Sequence, residues 1–199
     1  TVADGLPSNV VQSLIGQGDR IWVGTDGGVW VSTDAGDVGR AYDRTNGLRG
    51  LDVRDVQIAG KDVWAATDRG LSVLRDGLNE WRTVQSAREW HAVCIANGTV
   101  IGAVTDPADA TGRYSVISGS TERDTWTQLL APAHNGAVVH QLMALGEDVW
   151  MATDVGLYRS RDVGESWTRF GGETLWSGRV TRLCRGVDNL LCVQSVPNN

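Results

Sequence analysis

Lysine is almost absent from this 199-residue chain, where Lys61 stands alone among eighteen basic residues. Acidic residues number 24, so the formal charge is −6. The arginine preference reads as codon bias from a GC-rich genome. The acidic balance excludes a broadly basic surface, and with it a general nucleic-acid or anionic-membrane binder. No apolar run approaches the roughly 20 residues of a membrane span. No secretory leader is visible, and the abrupt start at Thr1 leaves room for one that was removed. Three cysteines (Cys94, Cys184 and Cys192) cannot all pair within the chain, and none has metal-ligand spacing. Neither a metal nor a cofactor is expected. Phenylalanine occurs once and proline four times, against 25 glycines and nine tryptophans. That mixture suits many short strands joined by tight turns, with large indoles filling the space between sheets.

Self-comparison exposes an internal repeat. The run Gly18-Asp19-Arg20-Ile21-Trp22-Val23-Gly24-Thr25-Asp26-Gly27-Gly28-Val29 returns from Gly60 to Leu71 and again from Gly146 to Leu157. Weaker copies lie at Asn97 to Asp106 and Gly186 to Val193. The spacing, about 40 residues, is the period of a four-stranded propeller blade. Each period reads as four strands, with Asn9 to Ile15 or Val53 to Ile58 first and the tryptophan strand second. Val29 to Ser32 or Leu71 to Leu74 is a third, and Trp81 to Val84 or Trp167 to Phe170 a fourth. No sustained 3.6-residue period predicts a long helix. The fold class is therefore all-β, with blades over about 9–45, 52–86, 90–130, 138–171 and, in part, 179–199. Trp22, Trp64 and Trp150 read as packing between blades, because a single sheet cannot bury both its faces.

The connection Ser160-Arg161-Asp162-Val163-Gly164-Glu165-Ser166-Trp167 resembles the Asp box of bacterial-neuraminidase-type repeats. Here an aspartate accepts backbone N–H bonds in a tight turn, glycine supplies the left-handed position and tryptophan anchors the turn. Ser32-Thr33-Asp34-Ala35-Gly36 keeps the first half, and Arg75-Asp76-Gly77 before Trp81 is a degraded version. Asp4-Gly5-Leu6-Pro7-Ser8-Asn9-Val10 with Ile21-Trp22-Val23-Gly24-Thr25 is similar to two-component-regulator propeller repeats. The run Val149-Trp150-Met151-Ala152-Thr153-Asp154-Val155-Gly156-Leu157-Tyr158-Arg159-Ser160 followed by an Asp box resembles the blades of photosystem-assembly-factor-like propellers. These resemblances imply a propeller that includes, across its relatives, glycosidases, sensors, receptors and assembly factors. They alone suggest a periplasmic or secreted location. The Asp box Ser160, Asp162, Gly164 and Trp167 is expected to be structural. Thr1-Val2 reads as the tail of a fourth strand, and the register leaves four complete blades with fragments at both ends. The chain is thus expected to form an open arc, completed by missing blades of the same polypeptide or by another protein.

No catalytic residue stands out. The Arg-Ile-Pro-type segment that the neuraminidase resemblance would place near the first blade is missing, and His91, His134 and His140 have no Ser-His-Asp or Cys-His setting. Asp26, Asp68, Asp106 and Asp154 recur after the second strand. They form either an acidic mouth for a cation or basic partner, or caps of their own turns. Arg49, Trp90 and Trp176 are candidate interface residues at the loop tips, with ordinary packing the alternative for Trp90. Cys184 and Cys192 flank one hairpin turn and are either bridged or two small core residues. The leading expectation is a non-catalytic binding or scaffolding module for a protein or glycan partner. A fragment of an Asp-box glycoside hydrolase (a sialidase or a β-glucan-cleaving enzyme) and the periplasmic sensor propeller of a hybrid two-component regulator are the alternatives.

Overall fold

The computed structural model describes residues 1–105, 112, 114–120, 125–129, 136–171, 178–186 and 191–196, with the backbone alone at 191, 192, 195 and 196. Its chain divides into two compact units, Thr1–Trp90 and His91–Asn199. The only helical turns among the described residues are two three-residue 3-10 segments, Val2–Asp4 and Arg44–Asn46.

The first unit holds two four-stranded antiparallel sheets. One comprises β1 (Val11–Gln17), β2 (Arg20–Thr25), β3 (Gly28–Ser32) and β4 (Gly39–Tyr42). The other comprises β5 (Val53–Ala59), β6 (Asp62–Thr67), β7 (Gly70–Leu74) and β8 (Arg82–Gln85). Between them lies an apolar core of Trp22, Val29, Tyr42, Val53, Val56 and Trp81, among others. Trp22 stacks on Tyr42 at 6.2 Å, and Trp81 meets both rings edge-on.

The second unit repeats the design. Its sheets are β9 (Glu89–Ala96) to β12 (Trp126–Leu129), by way of β10 (Thr99–Thr105) and β11 (Tyr114–Ser120), then β13 (Val139–Leu145), β14 (Asp148–Thr153), β15 (Gly156–Ser160) and β16 (Thr168–Arg169). A two-stranded sheet of β17 (Arg179–Arg185) and β18 (Leu191–Val196) follows. Trp150, Ala152 and Leu157 pack with Val180 and Leu183 of this last sheet.

The turns explain the hairpins. Asn97 and Gly98 both have positive φ, 51° and 78°, as a two-residue turn matched to strand twist requires. At the Thr-Asp-x-Gly turns, Gly70 has φ +125°, and a Cβ there would sit 1.9 Å from the Gln85 carbonyl oxygen. Trp22, Trp64 and Trp150 hold one register position on β2, β6 and β14, and all three are buried.

The Thr1-Val2 expectation fails. Asp4 N–H donates to the Thr1 carbonyl and the Thr1 hydroxyl donates to the Asp4 carboxylate, which curls this segment into a 3-10 turn. Cys184 and Cys192 are direct register partners across β17 and β18, but Cys184 is exposed, so it is no core residue.

Candidate functional site

The loop end of the sheets is built on a repeated turn. In Thr25, Thr67 and Thr153 the buried hydroxyl accepts the N–H of the residue two ahead, at 3.1–3.2 Å. The same hydroxyl donates to the carbonyl of the following Gly28, Gly70 or Gly156, at 2.8–2.9 Å. Threonine, not aspartate, therefore closes this turn. The reason is reach: its short β-hydroxyl both donates and accepts within the turn, which a carboxylate cannot do.

The aspartates are left for other work. Asp26 is exposed. Asp68 is half-buried, with its carboxylate 3.7 Å from Arg69 Nε. Asp154 accepts the Val138 N–H at 2.8 Å and so pins the segment leading into β13. Asp26 and Asp68 occupy the same turn on successive sheets of the first unit, whereas Asp154 belongs to the second. Asp106, Trp176 and His134 lie outside the described residues.

Arg49 is exposed on the connection before β5. The next residue, Gly50, runs so close to the neighbouring turn that a Cβ would lie 2.3 Å from Thr67 Oγ1 and 2.5 Å from Asp68 Oδ1. That approach sets Arg49 beside the Asp68 turn. Trp90 is a correction: it is fully buried, and its Nε1 donates to Gln85 Oε1 at 3.1 Å. β9 turns this indole inward, so packing wins over surface display.

A set of residues that the motifs did not single out comes from the innermost strands. The pairing of β1, β5, β13 and β17 slips by one residue after Val11, Val53, Val139 and Val180. Such a bulge re-aims the residue it frees. Gln12, at the first bulge, donates to Asp52, which precedes the second. Arg54, at the second, binds Asp52 at 3.1 Å and Glu89 at 3.1 Å. His140 repeats the arrangement in the second unit, accepting from Arg179 Nε at 3.2 Å. One residue on, Ser13 Oγ accepts the Val56 N–H (3.0 Å) and Gln141 Oε1 accepts the Leu183 N–H (2.7 Å), tying neighbouring sheets together.

The first unit therefore carries a continuous polar relay, Gln12–Asp52–Arg54–Glu89, at its loop end. Burial works against the Arg54 charge, but the bonds from Asp52 and Glu89 outweigh it and raise its pKa. One guanidinium engages both carboxylates, so these two acids are not an open acid and base pair. The sequence signal was present as a polar residue following each innermost-strand valine.

The remaining histidine, His91, bonds Thr105 Oγ1 at 2.8 Å and packs on Tyr114. At the opposite end of the sheets sits the Ser160–Trp167 turn. Ser160 Oγ accepts the Gly164 N–H at 2.7 Å and donates to Asp162, and Asp162 accepts the Ser166 N–H at 2.8 Å. Trp167 packs against the core beside it. Ser32 and Asp34 make the same bonds to Gly36 and Val38.

No family model matches this chain, and no curated protein does. Solved structures do. The extracellular domain of the putative one component system BT4673 from B. thetaiotaomicron superposes with a TM-score of 0.72 at 14% identity, covering 94% of this chain and 26% of that one. An ancestral GH74 enzyme gives 0.66 at 18% identity, over 83% of this chain and 24% of its own. YCF48 bound to D1 peptide gives 0.65 at 15%, over 91% and 60%. The chain thus spans about a quarter of the first two and 60% of the third. Identities this low carry the architecture alone, and the architecture is clear: this chain is an all-β run of propeller blades, with the fold of the two-component-type and photosystem-assembly-factor-like propellers.

Proposed function

We propose that the chain is a non-catalytic binding module that holds a protein partner at the loop end of its blades. The observation that carries this reading is the relay Gln12–Asp52–Arg54–Glu89, half-buried along its length, beside the exposed Arg49. Fixed charges at the edge of a well-packed surface supply orientation and specificity to a docking partner. Arg54 ties up both carboxylates of the relay, which favours recognition over glycoside hydrolysis, a reaction that needs two carboxyl groups held apart around a sugar bond. A peptide-bound propeller among the structural neighbours, YCF48 with D1 peptide, is in keeping with a protein partner.

The same reading includes further blades, from the same polypeptide or from another protein. Val56, Leu142 and Leu183 share the register position of Leu14 on their own sheets and are buried, whereas Leu14 is exposed. Val56 gains its cover from Gly24 of the preceding sheet, and Leu183 from Trp150 and Ala152 of its own. A sheet preceding β1 would cover Leu14 in the same way.

Site-specific photocrosslinking in the source cells tests the loop-end reading. A photoreactive residue at position 49 should capture a discrete partner that the same residue at position 19, at the other end of the sheets, does not. Arg49→Glu should weaken that partner's binding about tenfold, the scale of losing one interface charge pair. Release of sugar from a sialoside or a xyloglucan by the purified chain would replace this reading with a hydrolytic one.

A further inference from the structure

A cleft of about 530 Å³ opens between the two sheets of the first unit, at the end opposite the loops. That volume lies within the range of about 300–1,000 Å³ typical of ligand sites. Its floor is Trp22, Val31 and Tyr42 from the first sheet with Val63 and Leu74 from the second. Its origin is a defect in one turn. In the fourth sheet, Ser160 Oγ holds the Gly164 N–H, and Gly164 seals against Leu129 so closely that a Cβ would lie 2.9 Å from Leu129 Cδ1. In the second sheet the equivalent positions are Leu74 and Leu78. Leu74 has no hydroxyl to close the turn, and Leu78, with a Cβ, swings outward instead of sealing.

Two apolar lips result. Leu78 is 57% exposed on one side and Val38 is 70% exposed on the other. Charge is unbalanced between them. Lys61 pairs with Asp76 at 3.2 Å, and Arg75 bonds Asp62. Asp34 is held by Ser32 and the Val38 N–H, which fix its direction but leave its charge in place. Arg20 and Arg40 remain, and neither has a carboxylate within ion-pair distance among the described residues. Arg40 lies 4.7 Å over the Tyr42 ring and donates to Asn79 at 3.3 Å. Arg20 stands at the register position that Asp62 and Asp148 occupy on β6 and β14, where each of those aspartates binds an arginine. The lining sets Arg20, Arg40, Lys61 and Arg75 against Asp34, Asp76 and the Asp62 bonded to Arg75, so the cleft keeps a small excess of positive charge in a chain whose formal charge is −6.

We propose that the cleft binds an acidic linear peptide segment bearing an aliphatic side chain, as a second surface independent of the loop-end reading. The aliphatic side chain sits between Val38 and Leu78, and flanking carboxylates meet Arg20 and Arg40. Bidentate pairing with guanidinium suits the planar carboxylates of Glu and Asp side chains. A sugar fits less well, because sugars stack on open aromatic faces. Trp22 and Tyr42 are both about 5% exposed, their faces covered by each other, by Trp81 and by Arg40.

Fluorescence anisotropy with a fluorescein-labelled peptide of alternating Glu and Leu tests this on the whole chain. Saturable binding is expected, weakened at least tenfold in the Arg20→Gln/Arg40→Gln double variant and in Val38→Asp. Arg185→Gln, which removes an exposed charge in the other unit, should leave it unchanged. Thermal melts confirm that each variant is folded; all the substituted side chains are exposed. Absence of saturation, equal affinity for an alternating Lys and Leu peptide, equal affinity in the double variant, or stronger binding of an oligoglucuronate would each overturn the proposal. Loss of loop-end crosslinking at position 49 would leave these results untouched, so the two readings fail separately.

Discussion

Leu14 and Val56 occupy the same position on successive innermost strands, each two residues beyond the bulge, yet Leu14 is 66% exposed and Val56 is fully buried. The difference is a neighbour: Val56 has a sheet in front of it. Replacing Leu14 by Asp should therefore change the stability of this chain by no more than about 0.5 kcal/mol, as at other surface sites. Val56→Asp should cost more than about 3 kcal/mol, because it buries a charge with no partner. Urea denaturation of both variants measures the contrast. If another blade covers Leu14 in the assembled protein, Leu14→Asp should in addition block its docking.

The Thr-Asp-x-Gly turns make a second prediction. Thr67→Val removes a buried hydroxyl that satisfies both the Arg69 N–H and the Gly70 carbonyl. It should cost about 1–3 kcal/mol, the penalty for leaving buried polar groups unmatched. Asp26→Ala, at an exposed site, should stay within about 0.5 kcal/mol. Equal effects in the two variants would return the capping role to aspartate.

Acid should loosen the Ser160–Trp167 turn. The Ser166 hydroxyl, then the Ser166 N–H, holds the Asp162 carboxyl below its ordinary range. A depressed carboxylate adds stability above its unfolded value, near 4, and that stability is lost as pH falls through the folded value. Asp162→Ala should thus lower the melting temperature at pH 7 and converge on the parent protein as pH falls through the folded value. Melting curves across that range check the sign.

His140 titrates in the opposite sense. Burial, with Arg179 and Arg182 adding to it and Asp154 opposing, pushes its pKa below the usual histidine value. Between its folded value and about 6.5 the unfolded chain therefore holds more protons, so stability falls as pH drops through that window. His140→Gln should flatten this part of the stability curve. An unchanged slope in the variant would show that other groups set it.

Strand order was legible because each turn has a local chemical signature. Gly60 and Asp62, Thr67 and Gly70 mark their hairpins whatever surrounds them. The buried tryptophans were legible for the same reason, as they recur at one distance from those turns. Trp90 was ambiguous because its repeat lacks the second-strand indole that would have set its register. The relay was not legible as a relay. Gln12 meets Asp52, and Arg54 meets Glu89, only because neighbouring strands are offset by a bulge, and the offset between two sheets leaves no trace within either one. The cleft depends on the same kind of relation: Leu78 breaks a turn in one sheet, and the space it opens lies against another.

The bonds from the Val56 N–H to Ser13 and from the Leu183 N–H to Gln141 mean that β5 and β17 each borrow an acceptor from the sheet before them. Blades linked this way are not freely exchangeable cassettes. A duplicated or transplanted blade brings its own donor but relies on a foreign acceptor. Gene duplication within such an array would succeed only where the upstream copy already carries a polar side chain two residues past its valine. Lineages that grew by adding blades should therefore keep that polar position even where the rest of the strand has drifted.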